Sequence, residues 1–154
     1  MDVRDTWEQY FLKLAATVSS RATCSRLKVG CVIVKNKTVI ATGYNGSASG
    51  TPHCTDVGCL IENGGCQRTI HSELNAITQA AKHGNAVDGA TIYVTHEPCF
   101  NCLKHILTCG IKDIYYTEEY GSRPITKKLE MLGIENYTVE RTSDYKRVTI
   151  LENT

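Results

Sequence analysis

One histidine, one glutamate and two cysteines stand where they could hold a metal ion and move a proton beside it. They occur in two fragments, His71-Ser72-Glu73 and Pro98-Cys99-Phe100-Asn101-Cys102. Both fall at predicted helix starts, the second where a strand turns into a helix. Cysteines at i and i+3 of a first helical turn project from the same side, so both thiolates can reach one ion. His71 from a neighbouring helix end makes a third ligand and leaves the fourth tetrahedral position open, which is the plan of a catalytic rather than a structural zinc. The helix N-termini add partial positive charge that favours thiolates, and Pro98 suits a helix entry, where a missing N–H costs little. Glu73 is too near His71 in sequence to share its face in the i, i+4 manner, but backbone ahead of the first turn can aim both at one point. A carboxylate there can take a proton from an activated water and deliver it elsewhere. A lone CxxC could be a redox pair and a lone His-x-Glu is common by chance. The combination is far more restrictive.

These fragments need a scaffold, and its outline is readable. Residues 6–20 carry Trp7, Tyr10, Phe11, Leu14 and Val18 at helical spacing. The apolar run 29–34, the turn Asn36-Lys37 and residues 38–42 form a predicted β-hairpin. Residues 43–65 read as one long loop rich in Gly, Asn, Ser and Cys, and a loop of that length is usually functional or needs a tether. Helices are predicted at 71–83, 99–109 and 125–132, stopped by Gly84, Gly110 and Gly133. Strands are predicted at 90–95, 111–116 and 137–141, with 148–151 as a further edge or tail strand. Strand–helix alternation after an opening hairpin implies an α/β fold with a mixed, five-stranded sheet and helices on both faces, a three-layer αβα sandwich.

The bulk composition narrows the partners. The chain has 154 residues, 42% of them apolar, and a formal net charge of +1, which fits one globular domain over residues 1–154. So small a charge gives no long-range attraction to a nucleic-acid backbone, and no apolar run approaches the roughly 20 residues that cross a bilayer. Met1-Asp2-Val3-Arg4-Asp5 lacks a basic-then-apolar export pattern, so a cytoplasmic protein is expected. Eight cysteines in a reducing compartment point to metal rather than to disulfides.

The pattern His-x-Glu with Pro-Cys-x-x-Cys is the signature of zinc nucleobase deaminases, and the chain resembles the deoxycytidylate deaminases from about residue 15 to residue 120. Supporting stretches are Lys28-Val29-Gly30-Cys31-Val32-Ile33-Val34, Gly43-Tyr44-Asn45-Gly46, the run from Arg68 through His71, Ser72 and Glu73 to Ile77, and Ile111-Lys112-Asp113. Family members usually carry Ala where Ser72 stands. The resemblance implies a cytidine-deaminase-like fold, a catalytic Zn2+ on His71, Cys99 and Cys102, Glu73 as the proton carrier, and conversion of dCMP to dUMP and ammonia. It also implies a homo-hexamer activated by dCTP with Mg2+ and inhibited by dTTP, with Gly43, Tyr44, Asn45 and Gly46 in the effector contacts. Free-nucleoside enzymes use Cys in place of His71, and tRNA enzymes need a basic face for RNA, which a net charge of +1 does not support.

A monophosphate substrate calls for cationic and hydroxyl groups at the mouth of the pocket. Arg26 and Lys28 before the first strand are the best placed, with Ser47, Thr51, Tyr120 and Arg123 as further candidates; Asn45 suits a sugar contact as well as turn geometry. A second, structural zinc is expected on Cys24, Cys54, Cys59 and Cys66, tying the long loop to the core. The resemblance supports Cys24 and Cys54, proximity supports Cys59 and Cys66, and His53 is the substitute ligand. Cys31 and Cys109 read as core residues.

Overall fold

The computed structural model describes residues 3–151; Met1 and Asp2 of the N-terminal segment lie outside them. Helix α1 spans Trp7–Ser19 and starts at Thr6, whose hydroxyl and backbone exchange hydrogen bonds with Gln9 in a capping box. Strands β1 (Gly30–Lys35) and β2 (Thr38–Tyr44) follow. They are joined at Asn36 and Lys37, both with positive φ (51° and 59°), as a tight two-residue hairpin requires. The expected long loop is instead broken into short elements: β3 (Gly46–Ser47), α2 (Cys54–Val57), β4 (Ile61–Glu62), β5 (Gly65–Cys66) and β6 (Thr69–Ile70). Strand β3 pairs with β6 and β4 with β5, so the segment folds back on itself before the second long helix. Then come α3 (Ser72–Lys82), β7 (Thr91–His96), α4 (Phe100–Thr108), β8 (Asp113–Glu118), α5 (Ile125–Met131), β9 (Tyr137–Arg141) and β10 (Lys146–Ile150).

The main sheet has the order β2-β1-β7-β8-β10-β9, with β7 and β8 parallel and the other neighbours antiparallel. The period-two alternation of strands decides which helix each side chain meets. Cys31, Ile33, Ile92, Val94, Ile114 and Tyr116 share one core with Ala76 and Ala80 of α3, Leu103 and Ile106 of α4, and Ile125 and Leu129 of α5. Val32, Val34, Tyr93 and Tyr115 point the other way, onto Phe11 and Leu12 of α1. The molecule is the expected three-layer αβα sandwich, with three of its long helices on one face and one on the other.

Two expectations are corrected. The sheet has six strands rather than five, and the last strand is not its edge: β10 inserts between β8 and β9. It can do so because Val148 is fully buried and because Arg147, just ahead of the expected strand, is satisfied in place. Its guanidinium lies over the Tyr115 ring at 5.1 Å and donates to Asp113 Oδ1 at 3.1 and 3.0 Å. Secondly, Gly43-Tyr44-Asn45-Gly46 is not an exposed turn. Gly43 and Tyr44 end β2 in register with Cys31 and Gly30, and the Asn45 N–H donates to Val29 O at 3.2 Å. Strand β2 runs so close under α3 that a Cβ on Gly43 would collide with Ser72 O and Ala76 N. Only glycine admits that approach, and it seats the first turn of α3, where His71 and Glu73 lie.

Candidate active site

Helices α3 and α4 pack side by side and start at the same end of the sheet, so their N-termini face one space. His71 is the N-cap of α3 and Cys99 the N-cap of α4; the Cys99 thiol accepts the Cys102 backbone N–H at 3.4 Å. Cys99 thus sits just ahead of the first turn rather than within it, and Cys102 is three residues in. The geometry gathers the donors all the same. His71 Nδ1 is 3.4 Å from Cys99 Sγ and 3.3 Å from Cys102 Sγ, and the three ligand atoms lie within 4.8 Å of one another. One imidazole and two thiols, two of them opening on a cleft, are a donor set of the kind that binds zinc with a position to spare.

The charges fit such an ion. The contact with Cys102 holds the Cys99 thiol down, at about 3, against its burial, and the same contact together with burial pushes the Cys102 thiol up. The hydrogen bond with Cys99 raises the His71 pKa in turn, against the effect of its own burial. Glu73 is 4% exposed, and burial lifts its carboxyl above the ordinary range while the Ser72 hydroxyl, donating to Oε1 at 2.6 Å, works the other way. The hydroxyl that replaces the usual alanine thus lies on the carboxylate itself.

A cleft of about 540 Å³ opens over these groups. Its lining includes His71, Glu73 and Cys99, and from the candidates at its mouth Arg26, Asn45 and Tyr120. Lys28, Ser47, Thr51 and Arg123 are not on the lining. The Thr51 hydroxyl is spent on Ala48 O at 2.7 Å, and Ser47 Oγ is buried without a partner among the described residues. Asn45 does more than line the cleft. Its side chain accepts the Val29 N–H at 2.8 Å and donates to Leu27 O, and its backbone O accepts the Thr23 N–H, so it staples the loop that carries Arg26.

Of the four loop-associated cysteines, the structure brings Cys54, Cys59 and Cys66 into one group and leaves Cys24 outside it, on the cleft wall. His53 does not join them either; its Nδ1 meets Thr23 Oγ1 at 2.9 Å. Cys54 Sγ and Cys66 Sγ are 3.6 Å apart. Burial would raise the Cys66 thiol, but hydrogen bonds from the backbone and hydroxyl of Thr69 and from neighbouring backbone hold it down to about 6. Cys31 is fully buried in the core, and Cys109 packs against it, as expected. Other cleft residues were not singled out from sequence. His96 and Glu97 stand directly before Pro98, and that adjacency was the available signal. The His96 Nδ1 meets Thr95 Oγ1 at 2.8 Å, and its ring stands edge-on to Tyr120 at 6.5 Å. Asn75 ties the first turn of α3 to Tyr44 O and Ile70 O at 2.8 and 3.3 Å, and nothing local marks it.

The chain is similar to known proteins in sequence and in fold. The model of the cytidine and deoxycytidylate deaminase zinc-binding region matches residues 5–118. ComE operon protein 2 of Bacillus subtilis is 46% identical over 97% of this chain and 78% of its own length. The deoxycytidylate deaminase of Mycobacterium phage D29 is 35% identical over 75% of this chain and 98% of its own. Among solved structures, the dCMP deaminase of cyanophage S-TIM5 in complex with dCMP and dUMP superposes with a TM-score of 0.73. It is 34% identical and covers 87% of this chain and 97% of that one.

The thiol group makes a direct prediction. In metal-stripped protein, alkylation of Cys66 should rise with pH through a midpoint near 6, where its thiol is held, because the thiolate is the nucleophile. Cys109, whose thiol is raised by burial, should need more alkaline solution. Site-resolved mass spectrometry of iodoacetamide labelling against pH reads both, and equal midpoints would contradict the geometry.

Proposed function

The chain belongs to the cytidine and deoxycytidylate deaminase family, and we propose that it is a zinc-dependent enzyme converting dCMP and water to dUMP and ammonia. The observation that carries the reading is the convergence of His71 Nδ1 with the Cys99 and Cys102 thiols at one end of a cleft that also holds buried Glu73. The donor set suits zinc, and His71, Cys99 and Cys102 would hold it. When bound, zinc supplies the positive charge that makes water acidic near neutral pH.

The chain's own groups account for the proton movements. Glu73 accepts a proton from the attacking water. It passes that proton to the ring nitrogen beside the reacting carbon, then takes the proton of the hydroxyl added there and gives it to the amino group, so that the carbonyl forms as the C–N bond breaks and ammonia leaves. Its burial favours this work, because a carboxyl lifted above its ordinary range accepts a proton more readily than an exposed one does. The N-termini of α3 and α4 add their dipoles to the same point. Arg26, on the loop stapled by Asn45, is the phosphate contact, and Tyr120 with His96 walls the side on which a base or sugar would lie. The dCMP and dUMP held by the cyanophage enzyme support a monophosphate substrate.

Two finer proposals accompany this one. A second, structural zinc on Cys54, Cys59 and Cys66 is supported by the convergence of those three thiols; Cys24, outside the group, is a ligand by resemblance only. Such an ion should protect Cys66 from alkylation, and metal analysis should fall from two zinc per chain to one in Cys54→Ser; one zinc in both proteins would remove the second site. A hexamer controlled by dCTP with Mg2+ and by dTTP is supported by the family resemblance. Sedimentation and dCMP saturation curves with and without each nucleotide test it, and a monomer with curves indifferent to both would refute it.

Glu73→Gln keeps the shape of the side chain but cannot carry a proton, so zinc content should stay and kcat for dCMP should fall by about a hundredfold to ten-thousandfold. A loss below about tenfold, roughly 1.4 kcal/mol of barrier, would overturn the role. Arg26→Ala should raise KM for dCMP far more than for unphosphorylated deoxycytidine, because the charge-assisted contact exists only with the phosphate. Equal effects on both substrates would make Arg26 a structural residue.

A further inference from the structure

Beneath the metal-binding turn lies an ion pair that packing alone does not call for. Lys128 of α5 and Glu97 at the end of β7 are 5% and 4% exposed. Lys128 Nζ donates to Glu97 Oε1 at 3.1 Å and to Pro98 O at 2.9 Å. The other oxygen of Glu97 accepts the backbone N–H of Tyr120 at 3.4 Å, and the Glu97 N–H donates to Glu118 O at 2.8 Å. By contrast the ion pairs Lys13–Asp5 and Arg141–Glu119 stand in solvent.

Two buried charges are costly to desolvate, and apolar residues of similar size would hold α5 on the sheet as well or better. Ile125 and Leu129 of the same helix already do so, at 1% and 0% exposure. What an apolar pair could not do is fix directions. Pro98 has no N–H, so its carbonyl is the one backbone hydrogen-bonding group this residue offers, and Lys128 takes that carbonyl, which belongs to the peptide joining Pro98 to Cys99. The same peptide enters the N-cap Cys99, so its orientation bears on where the Cys99 thiol points relative to Cys102 and His71. Through Glu97 the pair also reaches the backbone of Tyr120, another residue lining the cleft.

We propose that Lys128 and Glu97 are positioning residues for deamination, a buried pair that sets the orientation of the Pro98-Cys99 turn and so of the metal-binding thiols. The proposal rests on the reading that Cys99 and Cys102 hold zinc. It differs from a stabilising role because its effect should appear in the metal site, as partners behind the ligands commonly change metal affinity or activity by about 10- to 100-fold.

The test uses the zinc-loaded enzyme. Lys128→Met keeps chain length and loses the charge and donors. Glu97→Gln/Lys128→Met removes both charges, so that no unpaired carboxylate is left buried. Lys128→Arg keeps charge and donors, and Leu129→Ala destabilises the same helix without touching the turn. The readouts are thermal unfolding, the rate at which a chelator strips zinc, and kcat for dCMP. Zinc release should be about tenfold faster or more, and kcat lower by a similar factor, in Lys128→Met and in the double variant. Lys128→Arg should recover both to within about threefold, and Leu129→Ala should lower the unfolding temperature without faster zinc release. Zinc release within about threefold of wild type in a folded double variant would overturn the proposal. So would equal acceleration in Leu129→Ala, or failure of both Met variants to fold, since the pair would then hold the fold rather than the turn. Wild-type enzyme that binds zinc but releases no ammonia from dCMP would refute the substrate reading, while the zinc-release rates would still decide the positioning role.

Discussion

Three soft or borderline donors must meet at one point beside a carboxyl that has been taken out of water, and the rest of the molecule serves that requirement. Two helix starts supply the donors, so α3 and α4 must lie side by side with their N-termini level. The sheet arranges this. Strand β7 feeds α4 directly through Glu97 and Pro98, while β2 passes so closely beneath α3 that Gly43 can carry no side chain. Ala76, fully buried on the facing turn of α3, keeps the separation small. Glycine and alanine at these places are thus part of the site as surely as His71 and the two thiols are, because a shift of either helix would separate His71 from the thiols.

Burial gives the site its chemistry and also its cost. A carboxyl in a dry pocket holds its proton more tightly than it would in water, and charges near it interact more strongly than they would at the surface. Glu73 is balanced by the Ser72 hydroxyl and by His71, and the Cys31 thiol below it donates to Ser72 O at 3.3 Å. The neutral sulfur is itself raised by burial and by the charge of Glu73, so it adds no second anion beneath the carboxylate. Lys128 and Glu97 repeat the theme one layer deeper, where full pairing makes burial of two charges tolerable.

Much of this was legible in the sequence because it is local. The helix starts at His71 and Cys99, the Asn36-Lys37 turn, the apolar run 29–34 and the strand 90–95 each depend on neighbours within a few residues. What escaped depends on distant partners. The last strand was expected at residues 148–151 as an edge or tail, because what extends it to Lys146 and Arg147 and seats it inside the sheet are partners some thirty residues away, Thr117 O and Asp113. Asn45 read as a turn residue, whereas its amide is a staple between β2 and the loop of residues 23–29. Lys128 on a short helix resembles any surface lysine until Glu97 is found under it. The mouth of the cleft was the least legible part: Arg26, Asn45 and Tyr120 reach it, while Lys28, Ser47, Thr51 and Arg123 do not, because loop paths rather than residue types decide which side chains face inward.

The central claim is that His71, Cys99 and Cys102 hold one zinc and leave a coordination position open. X-ray absorption at the zinc edge measures this directly. The Cys54→Ser protein, loaded with one equivalent of metal, leaves the other thiol group short of a ligand. The account predicts two sulfur neighbours at about 2.3 Å and two nitrogen or oxygen neighbours at about 2.0–2.1 Å, one of them an imidazole. A shell of three or four sulfurs, or one without imidazole, would contradict it.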